Sequence, residues 1–412
     1  MSGEQAFRSV TCLGCGCGCD DLEVRVSDGR IVGLAPPCPV ARRWFGDGSV
    51  PAEISVDARP ATLDQAIDAA ASLLAGATRP MVLLAPDLTT RAQRTAIALA
   101  DALQAEVDGA TSDTAASGIL AAQRRGRAGA TLGEIRNRAD VTLFWAVDPR
   151  ERYPRFLERY AAAGSATHVS SRVHLSVSVG VDRGPARAEL AAELAPELEL
   201  EALALMRAVV RGQTFEGVPD TLRPVVAIAE RVRQGRYVAV VYDAEPGRSP
   251  HDDQRADSLI ALAQLLNGPT RAVLVGLRAG GNRSGAEAAL TWQTGYPMRV
   301  SLRGGHPRYR PGRSGVDRLR GGGADAVLVA GAGVALGPLP LESVPGIVIG
   351  PGASAVAGAR VAIDTGVAGI HEAGTGYRMD DVPLPLTPVL AHPHAAGESL
   401  ELLLRAVRGR AR

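Results

Sequence analysis

The sequence contains no lysine, so all 45 basic residues among its 412 positions are arginines. Without a lysine amine the chain cannot form a Schiff base and cannot supply the amine of a phosphate-binding P-loop. The arginines are nearly balanced by 44 acidic residues, and the formal net charge is +1. This balance gives no reason to expect nucleic acid or an anionic membrane as a partner.

Long apolar runs are also absent from the sequence. No run reaches the roughly 18 residues that a membrane-spanning helix needs. The N-terminal stretch MSGEQAFRSV lacks the basic and apolar regions of a signal peptide, and we therefore expect a cytoplasmic protein. Hydrophobic residues are 46% and charged residues 22%, which is a globular composition, and 412 residues predict two or three domains.

Cysteine is scarce outside one short cluster. The stretch TCLGCGCGCDD holds four of the five cysteines, with the spacing Cys12-x2-Cys15-x3-Cys19, and Cys38 follows nineteen residues later. Cys17 lies off this pattern. Two short gaps and a distant fourth thiol can surround a [4Fe–4S] cube. The spacing leaves two alternatives open, namely a tetrahedral zinc site and a set of buried thiols that bind no metal.

The pattern of apolar residues predicts a small β-rich cap followed by an α/β region. DLEVRVSDGRIVGL alternates apolar and polar residues around a Ser-Asp-Gly turn, which is typical of a β-hairpin. Later strands are continuously apolar, which is typical of parallel sheets covered by helices on both faces. The predicted helices are LDQAIDAAASLLAG, TTRAQRTAIALADALQA and ELAAELAPELELEALALMRAVVRG. The predicted strands are RPMVLLAP, DVTLFWAV, YVAVVYD, RAVLVGL, DAVLVAGAG and GIVIGPGA.

Several blocks resemble the B subunit of formylmethanofuran dehydrogenase, a molybdenum or tungsten pterin enzyme. CLGCGCGCDDLEV, followed by an isolated cysteine, is similar to the start of that family. Four further blocks resemble the family in the same order: TLGEIRNRADVTLFWAVDPRERYPRFLERY (131–160), GNRSGAEAALTWQTGYP (281–297), PRYRPG (307–312) and AGIHEAGTGYRMDDVPL (368–384). The resemblance therefore covers nearly the whole chain.

This resemblance implies a molybdopterin-oxidoreductase-like α/β fold with a cap and two doubly wound parallel-sheet domains. The cysteine-bearing cap is expected at residues 1–50. One domain is expected to be discontinuous, formed by residues 51–135 and 310–412, with the other inserted at 136–309.

The resemblance also implies which cysteines are ligands. The four cluster ligands of the family match Cys12, Cys15, Cys19 and Cys38 residue by residue. These four are therefore the candidate ligands of a [4Fe–4S] cluster.

The residues that hold the pterin metal in the family are not matched. Its metal-ligating Cys-His pair corresponds to Ala115 and Ala116, and a methyl group cannot coordinate molybdenum or tungsten. A histidine just before the GNRSG block corresponds to Gly280 or Gly281, and a Glu-Pro-His-like nucleotide contact corresponds to GPG at 350–352. A lysine after the fourth cysteine is missing too. We therefore expect no catalytic residue in this chain and no molybdenum or tungsten pterin.

The resemblance therefore implies a chain that keeps the architecture of the family but lacks the residues of its redox chemistry. A vestigial pterin cleft is expected near Gly281, Asn282, Gly376 and Arg378. Methylotrophic bacteria contain a formyltransferase/hydrolase complex whose four subunits resemble those of formylmethanofuran dehydrogenase. That complex transfers a formyl group from formyl-tetrahydromethanopterin to a methanofuran-like carrier and hydrolyses it to formate.

Two functions follow as hypotheses. The main one is a non-catalytic scaffold subunit of such a complex in one-carbon metabolism and formaldehyde oxidation, with hydrolase, formyltransferase and C-type subunits as partners. The alternative is a redox-active B subunit of formylmethanofuran dehydrogenase, with a bis-pterin metal site and a [4Fe–4S] cluster.

The histidines give no sign of a further catalytic site. His371 precedes Glu372, and His392 and His394 lie near the C-terminus. The sequence contains neither an H-E-x-x-H zinc motif nor a G-x-S-x-G nucleophile elbow. We interpret these histidines as surface residues or as side chains with structural hydrogen bonds.

Overall fold

The computed structural model divides the chain into two compact units. One combines Met1–Asp113 with Gly280–Arg412, and the other comprises Thr114–Ala279. We call them the discontinuous unit and the inserted unit. The structure describes residues 3–114, 116–162, 168–244, 251–332 and 336–410.

Strands and helices alternate along most of the chain. The strands are β1 (Gln5–Cys12), β2 (Cys19–Ser27), β3 (Arg30–Ala35), β4 (Ile54–Val56), β5 (Arg59–Pro60), β6 (Pro80–Leu84), β7 (Glu106–Gly109), β8 (Val141–Trp145), β9 (Val173–Val179), β10 (Leu190–Leu194), β11 (Tyr237–Asp243), β12 (Arg271–Leu277), β13 (Val300–Ser301), β14 (Arg308–Tyr309), β15 (Ala326–Ala330), β16 (Gly346–Gly350), β17 (Ala359–Asp364), β18 (Gly374–Tyr377) and β19 (Pro383–Leu386). The α-helices are α1 (Pro39–Phe45), α2 (Leu63–Gly76), α3 (Thr90–Ala102), α4 (Thr111–Thr114), α5 (Ala116–Arg125), α6 (Leu132–Arg138), α7 (Pro149–Arg152), α8 (Glu199–Val210), α9 (Arg223–Arg233), α10 (Asp252–Leu266), α11 (Arg283–Thr294), α12 (Gly315–Arg320) and α13 (Ala396–Arg410).

The N-terminal cap is an antiparallel sheet of β1, β2 and β3. Asp28 and Gly29 join β2 to β3 with φ values of 50° and 72°. Two consecutive positive φ angles match the twist of a β-hairpin. The predicted hairpin and the cysteine-bearing cap are therefore confirmed.

The main sheet of the discontinuous unit has nine strands in the order β14-β13-β7-β6-β15-β16-β17-β4-β5. The central strands β7, β6, β15, β16 and β17 are mutually parallel. The strand order reverses between β6 and β15, because β7 follows β6 on one side and β15 lies on the other. In such sheets ligands bind beyond the carboxyl ends of the strands at the reversal.

Strand β6 is apolar throughout because both faces of this sheet are covered. Val82 and Leu84 pack into the core that contains residues of α2, α3, α11 and α13. Met81 and Leu83 point to the opposite face, into the core that contains residues of α12. Each such buried side chain contributes about 1.5–3 kcal/mol, so a polar residue at any of them would weaken the sheet.

The inserted unit contains a five-stranded parallel sheet in the order β10-β9-β8-β11-β12. Residues of α5, α8, α9 and α10 pack with this sheet into one hydrophobic core. The first strand of this sheet along the chain, β8, is central, with β9 and β10 on one side and β11 and β12 on the other. This is the strand order of a doubly wound sheet, as the sequence predicts. Among the described residues, no helix has the length and hydropathy to cross a membrane.

One predicted helix is wrong over its first part. The stretch predicted as a single helix from residue 189 begins with β10 (Leu190–Leu194), which pairs in parallel with β9. Pro196 then starts a short 3₁₀ turn, and the helix itself is α8 (Glu199–Val210). Alternation in ELAAEL places Ala192 and Leu194 on the buried face, and pairing with β9 outweighs the helix propensity of Ala, Glu and Leu.

Candidate functional site

The cysteine cluster lies where β1 turns into β2. Cys12 ends β1 and Cys19 begins β2, and the two residues are partners in the antiparallel ladder. Within the loop between them, the Gly18 N–H donates to the carbonyl oxygen of Cys15 at 3.2 Å. Cys38 occupies the N-cap position of α1, and its side chain makes no capping hydrogen bond. We call residues 12–19 the cysteine loop.

The thiols are buried and electrostatically coupled. Burial raises the pKa of the Cys12 thiol, the Gly14 N–H that donates to its sulfur at 3.3 Å lowers it, and Cys15, Cys19 and Cys38 raise it further. These three thiols therefore lie near Cys12. All five cysteines are among the described residues and none forms a disulfide; Cys15 is half-buried, and the buried ones are Cys12, Cys17, Cys19 and Cys38.

The cysteine loop is covered by the segment that precedes α11. The Gly281 N–H donates to the carbonyl oxygen of Leu13 at 2.7 Å. A Cβ atom built on Gly280 would lie 2.2 Å from the carbonyl oxygen of Gly14. Since a Cβ atom cannot approach backbone that closely, residue 280 has no room for any side chain in this arrangement.

Asn282, predicted to line a vestigial cleft, is instead fully buried and saturated with hydrogen bonds. The two N–H groups of its Nδ2 are shared among three acceptors: the Leu88 carbonyl oxygen and Thr90 Oγ1, both at 3.0 Å, and Gln93 Oε1 at 3.1 Å. Its Oδ1 accepts the Tyr377 N–H at 2.8 Å. The amide thus joins α3, α11 and β18, which is a structural role.

The other predicted cleft residues also have partners within the discontinuous unit. Arg378 pairs through two hydrogen bonds with Asp380, at 2.7 and 2.8 Å. A Cβ on Gly376 would contact Leu13 at 3.2 Å, and one on Gly281 (φ 85°) would lie 2.5 Å from Pro86. The glycines are required by close packing here.

The Cys-His pair of the family corresponds to two alanines, and the structure describes the second of them. Ala116 is the first residue of α5 and is half-buried. Its methyl group offers neither a metal ligand nor a proton. Ala115 lies outside the described residues.

An acidic residue that sequence reasoning missed lies at the strand reversal of the nine-stranded sheet. Asp87 follows β6, and its Oδ2 accepts the N–H of Ala332, which follows β15, at 2.8 Å. Burial raises the pKa of Asp87 to about 6. Its only signal in the sequence is an acidic residue just after an apolar strand.

The histidines and Glu372 have structural partners, as interpreted from the sequence. His392 Nε2 lies 3.0 Å from the carbonyl oxygen of Pro51. Glu372 accepts the N–H groups of Ala396 and Gly397, at 2.9 and 3.3 Å, and thereby caps the first turn of α13.

The arrangement of the candidate ligand side chains can be compared with the geometry that a metal site requires. Among the described residues, no three or more His, Cys, Asp or Glu side chains are grouped as ligands of one metal ion. A single zinc ion would hold its thiolates about 3.8 Å apart, since each Zn–S bond is about 2.3 Å. Ligands of a [4Fe–4S] cube bind different irons and lie further apart. The part of the chain that the structure describes therefore shows no group of side chains arranged around a single metal ion.

The chain is thus an α/β protein with an N-terminal cysteine-bearing β cap and two mainly parallel sheets, as the resemblance implies. No protein-family model matches the chain. Its fold is similar to that of a chain in the X-ray crystal structure of the formyltransferase/hydrolase complex from Methylorubrum extorquens in complex with methylofuran. The TM-score is 0.75 with 24% sequence identity, and the match covers 87% of this chain and 100% of that chain.

Two sequence relatives are each named as the B subunit of a tungsten-containing formylmethanofuran dehydrogenase 2. That of Methanocaldococcus jannaschii is 30% identical, over 98% of this chain and 99% of the relative. That of Methanococcus maripaludis is 27% identical, over 98% of both chains. The chain therefore belongs to the family of formylmethanofuran dehydrogenase B subunits, which confirms the resemblance found in the sequence.

Proposed function

We propose that this chain is a non-catalytic scaffold subunit of a formyltransferase/hydrolase complex. The complex converts formyl-tetrahydromethanopterin to formate through a methanofuran-like carrier. Hydrolase, formyltransferase and C-type subunits are the partners of this chain. The full-length match to B subunits and the fold shared with a chain of a formyltransferase/hydrolase complex support this assignment.

The observation that carries the proposal is the packing of Gly280 on the cysteine loop. The resemblance implies that a histidine of the family corresponds to Gly280 or Gly281. Here a Cβ at residue 280 would lie 2.2 Å from the Gly14 carbonyl oxygen, and one at Gly281 would lie 2.5 Å from Pro86. Ala116 offers only a methyl group. None of the positions 116, 280 and 281 therefore carries a side chain that can bind a metal. The residues therefore do not fit a molybdenum or tungsten centre.

The cysteines support a second part of the proposal. Cys12, Cys15, Cys19 and Cys38 hold a [4Fe–4S] cluster whose role in this chain is structural. In the dehydrogenases such a cluster passes electrons from the pterin metal. The cap has a short apolar core around Leu13, and a bound cluster contributes directly to the folding of so small an element.

Metal analysis of the purified complex tests both parts. We expect about four irons and four sulfides per copy of this chain, no stoichiometric molybdenum or tungsten, and formate release without dye-linked oxidation of formylmethanofuran. Stoichiometric molybdenum or tungsten would overturn the scaffold assignment in favour of the redox-active alternative. Zinc without iron would overturn the cluster and leave the scaffold assignment standing.

A further inference from the structure

Three helices of the inserted unit form an open depression lined by arginines. Helix α10 packs against both α5 and α8, and the depression between them has a volume of about 710 Å³. Arg124 and Arg125 reach it from the last turn of α5, and Arg207 reaches it from the last turn of α8. Gln254 of α10, which is exposed, also lines it. We call this depression the arginine groove.

The acidic residues of the groove do not balance its arginines. One carboxylate, Asp257, serves both arginines of α5, with Arg125 Nε at 2.6 Å and Arg124 Nε at 3.5 Å. The second acidic residue, Asp253, is hydrogen-bonded to the hydroxyl of Ser117. The hydroxyl leaves the charge of Asp253 unchanged, so the groove as a whole holds three arginines against two carboxylates.

Arg207 is the group that most lacks a counter-charge. It is half-buried, and none of the described carboxylates lies within ion-pair distance of its guanidinium. Burial lowers the pKa of Arg207, the nearby Arg125 and Arg211 lower it further, and only Asp257 opposes them. Arginines in a last helical turn ordinarily complement the helix dipole, but that role does not explain why these three guanidiniums converge.

We propose that the arginine groove binds an acidic segment of a partner subunit, whose carboxylates pair with Arg207 and with the α5 arginines. This inference rests on the proposed function, because it requires that the chain is part of a complex. Guanidinium groups bind carboxylates through paired hydrogen bonds, and complementary charge both steers association and fixes its register.

The shape of the groove favours a polypeptide over a small anion. From Leu200 to Arg207 the α8 wall extends roughly 10 Å, which is the length of about three residues of extended chain. The three arginines come from two different helices, α5 and α8. A chain with spaced carboxylates can engage the arginines individually. We therefore expect a segment with at least two acidic residues.

Photo-crosslinking in the assembled complex identifies the occupant. Gln254, replaced by p-benzoylphenylalanine, is expected to crosslink to a partner-subunit peptide that carries two or more acidic residues. Gln234, an exposed glutamine of the same unit outside the groove, is the matched control and should not yield that peptide. Absence of a crosslink at Gln254, or a crosslink to a segment without acidic residues, would overturn the proposal.

Charge reversal tests the chemistry. The double variant Arg124→Glu/Arg207→Glu should weaken association with the crosslinked subunit about tenfold or more at about 50 mM NaCl, and less at about 500 mM. The exposed Arg223→Glu variant of α9 should leave association unchanged. Unchanged association of the double variant would overturn the proposal. Neither the crosslink nor the association measurement depends on the metal content of the complex. A redox-active complex would therefore refute the proposed function without affecting the test of the arginine groove.

Discussion

His371 donates a hydrogen bond from Nε2 to the carbonyl oxygen of Gly48, which lies 2.9 Å away. The direction is fixed because Nδ1 of the same ring accepts the N–H of Val367 at 3.1 Å. The ring is therefore neutral, with its proton on Nε2. It ties the segment after α1 to the loop that follows β17. Protonation would keep the Nε2–H bond to Gly48 but would remove the Nδ1 lone pair that accepts the Val367 N–H, so the loop that follows β17 depends on the protonation state of this imidazole.

The first prediction is a loss of stability when His371 is protonated. Burial lowers the pKa of His371, the bond to Gly48 opposes this, and the nearby His392 lowers it further. As the pH falls below the ordinary value of 6.5, the unfolded chain binds a proton before the folded chain does, so the free energy of unfolding decreases. We expect the Tm to fall between about pH 7 and pH 5 for this reason.

The measurement is the difference in Tm between wild type and His371→Gln over that range. Gln retains a donor toward Gly48 but does not titrate, and groups such as Glu372, whose pKa burial raises, contribute equally to both proteins. The variant should lose part of the acid sensitivity. If the Tm of the two proteins falls equally with pH, the His371 imidazole is not the source of the acid sensitivity.

The second prediction concerns Asp87 at the strand reversal. Burial raises its pKa to about 6 from 3.8, so the unfolded chain releases this proton at a lower pH than the folded chain. The contribution to the free energy of unfolding therefore decreases as the pH rises from 3.8 to about 6, by at most about 3 kcal/mol. Asp87→Asn keeps an acceptor for Ala332 without the charge, so it should raise the Tm at pH 8 but not at pH 4.

Asp325→Asn is the opposing control for that measurement. Burial raises the pKa of Asp325, but bonds from Thr78 and Arg79 outweigh it, and the net direction is downward. Its charge is therefore stabilising above the unfolded value, and removing it should lower the Tm at pH 8. A lower Tm for Asp87→Asn at pH 8 would show that the Asp87 carboxylate is stabilising, contrary to its raised pKa.

Much of the architecture is predictable because it depends on local sequence. The Thr89 hydroxyl accepts the Ala92 N–H at 3.2 Å and caps α3, at the start of the stretch TTRAQRTAIALADALQA that the sequence predicts as a helix. For strand β10 the sequence predicts a helix, because its residues favour helix. Its pairing with β9, the preceding strand along the chain, makes it a strand.

The site is predictable only in part, for a similar reason. Cysteines are recognised by their type and spacing, so the candidate ligands can be named from the sequence. The buried hub at Asn282 and the acid at Asp87 depend on which strands are neighbours. Strand order is set by the packing of the whole sheet, which no single stretch of sequence encodes.

The third prediction tests the close contact between Gly280 and the cysteine loop. In Gly280→Ala the new methyl group would meet the Gly14 carbonyl oxygen, so the loop must shift, at a cost of about 1–3 kcal/mol. A methyl group on Gly76, at the end of α2, would have nothing within 4 Å, and Gly76→Ala should be neutral or stabilising by up to about 1 kcal/mol. Equal melting of the two variants would show that the loop yields easily and that a side chain at residue 280 is tolerated.

The fourth prediction separates a metal-binding cysteine from a packed one. Cys15 is half-buried and Cys17 is fully buried, so packing alone predicts that Cys17→Ala is the more harmful change, at about 1 kcal/mol. If Cys15 binds a cluster, the order is reversed, because loss of a ligand removes binding free energy that also folds the cap. We expect Cys15→Ala to lower the Tm of the complex more than Cys17→Ala does, with less iron per chain.

Activity decides whether such a cluster has a role beyond structure. For a structural cluster, formate release per assembled complex should be the same in Cys15→Ala and in wild type, although less complex assembles. A variant that assembles normally and loses turnover would place the cluster in the reaction and contradict the scaffold assignment. If Cys15→Ala melts like wild type while Cys17→Ala melts at a lower temperature, the two variants follow the order that packing alone predicts. The four thiols would then be packed side chains that bind no metal.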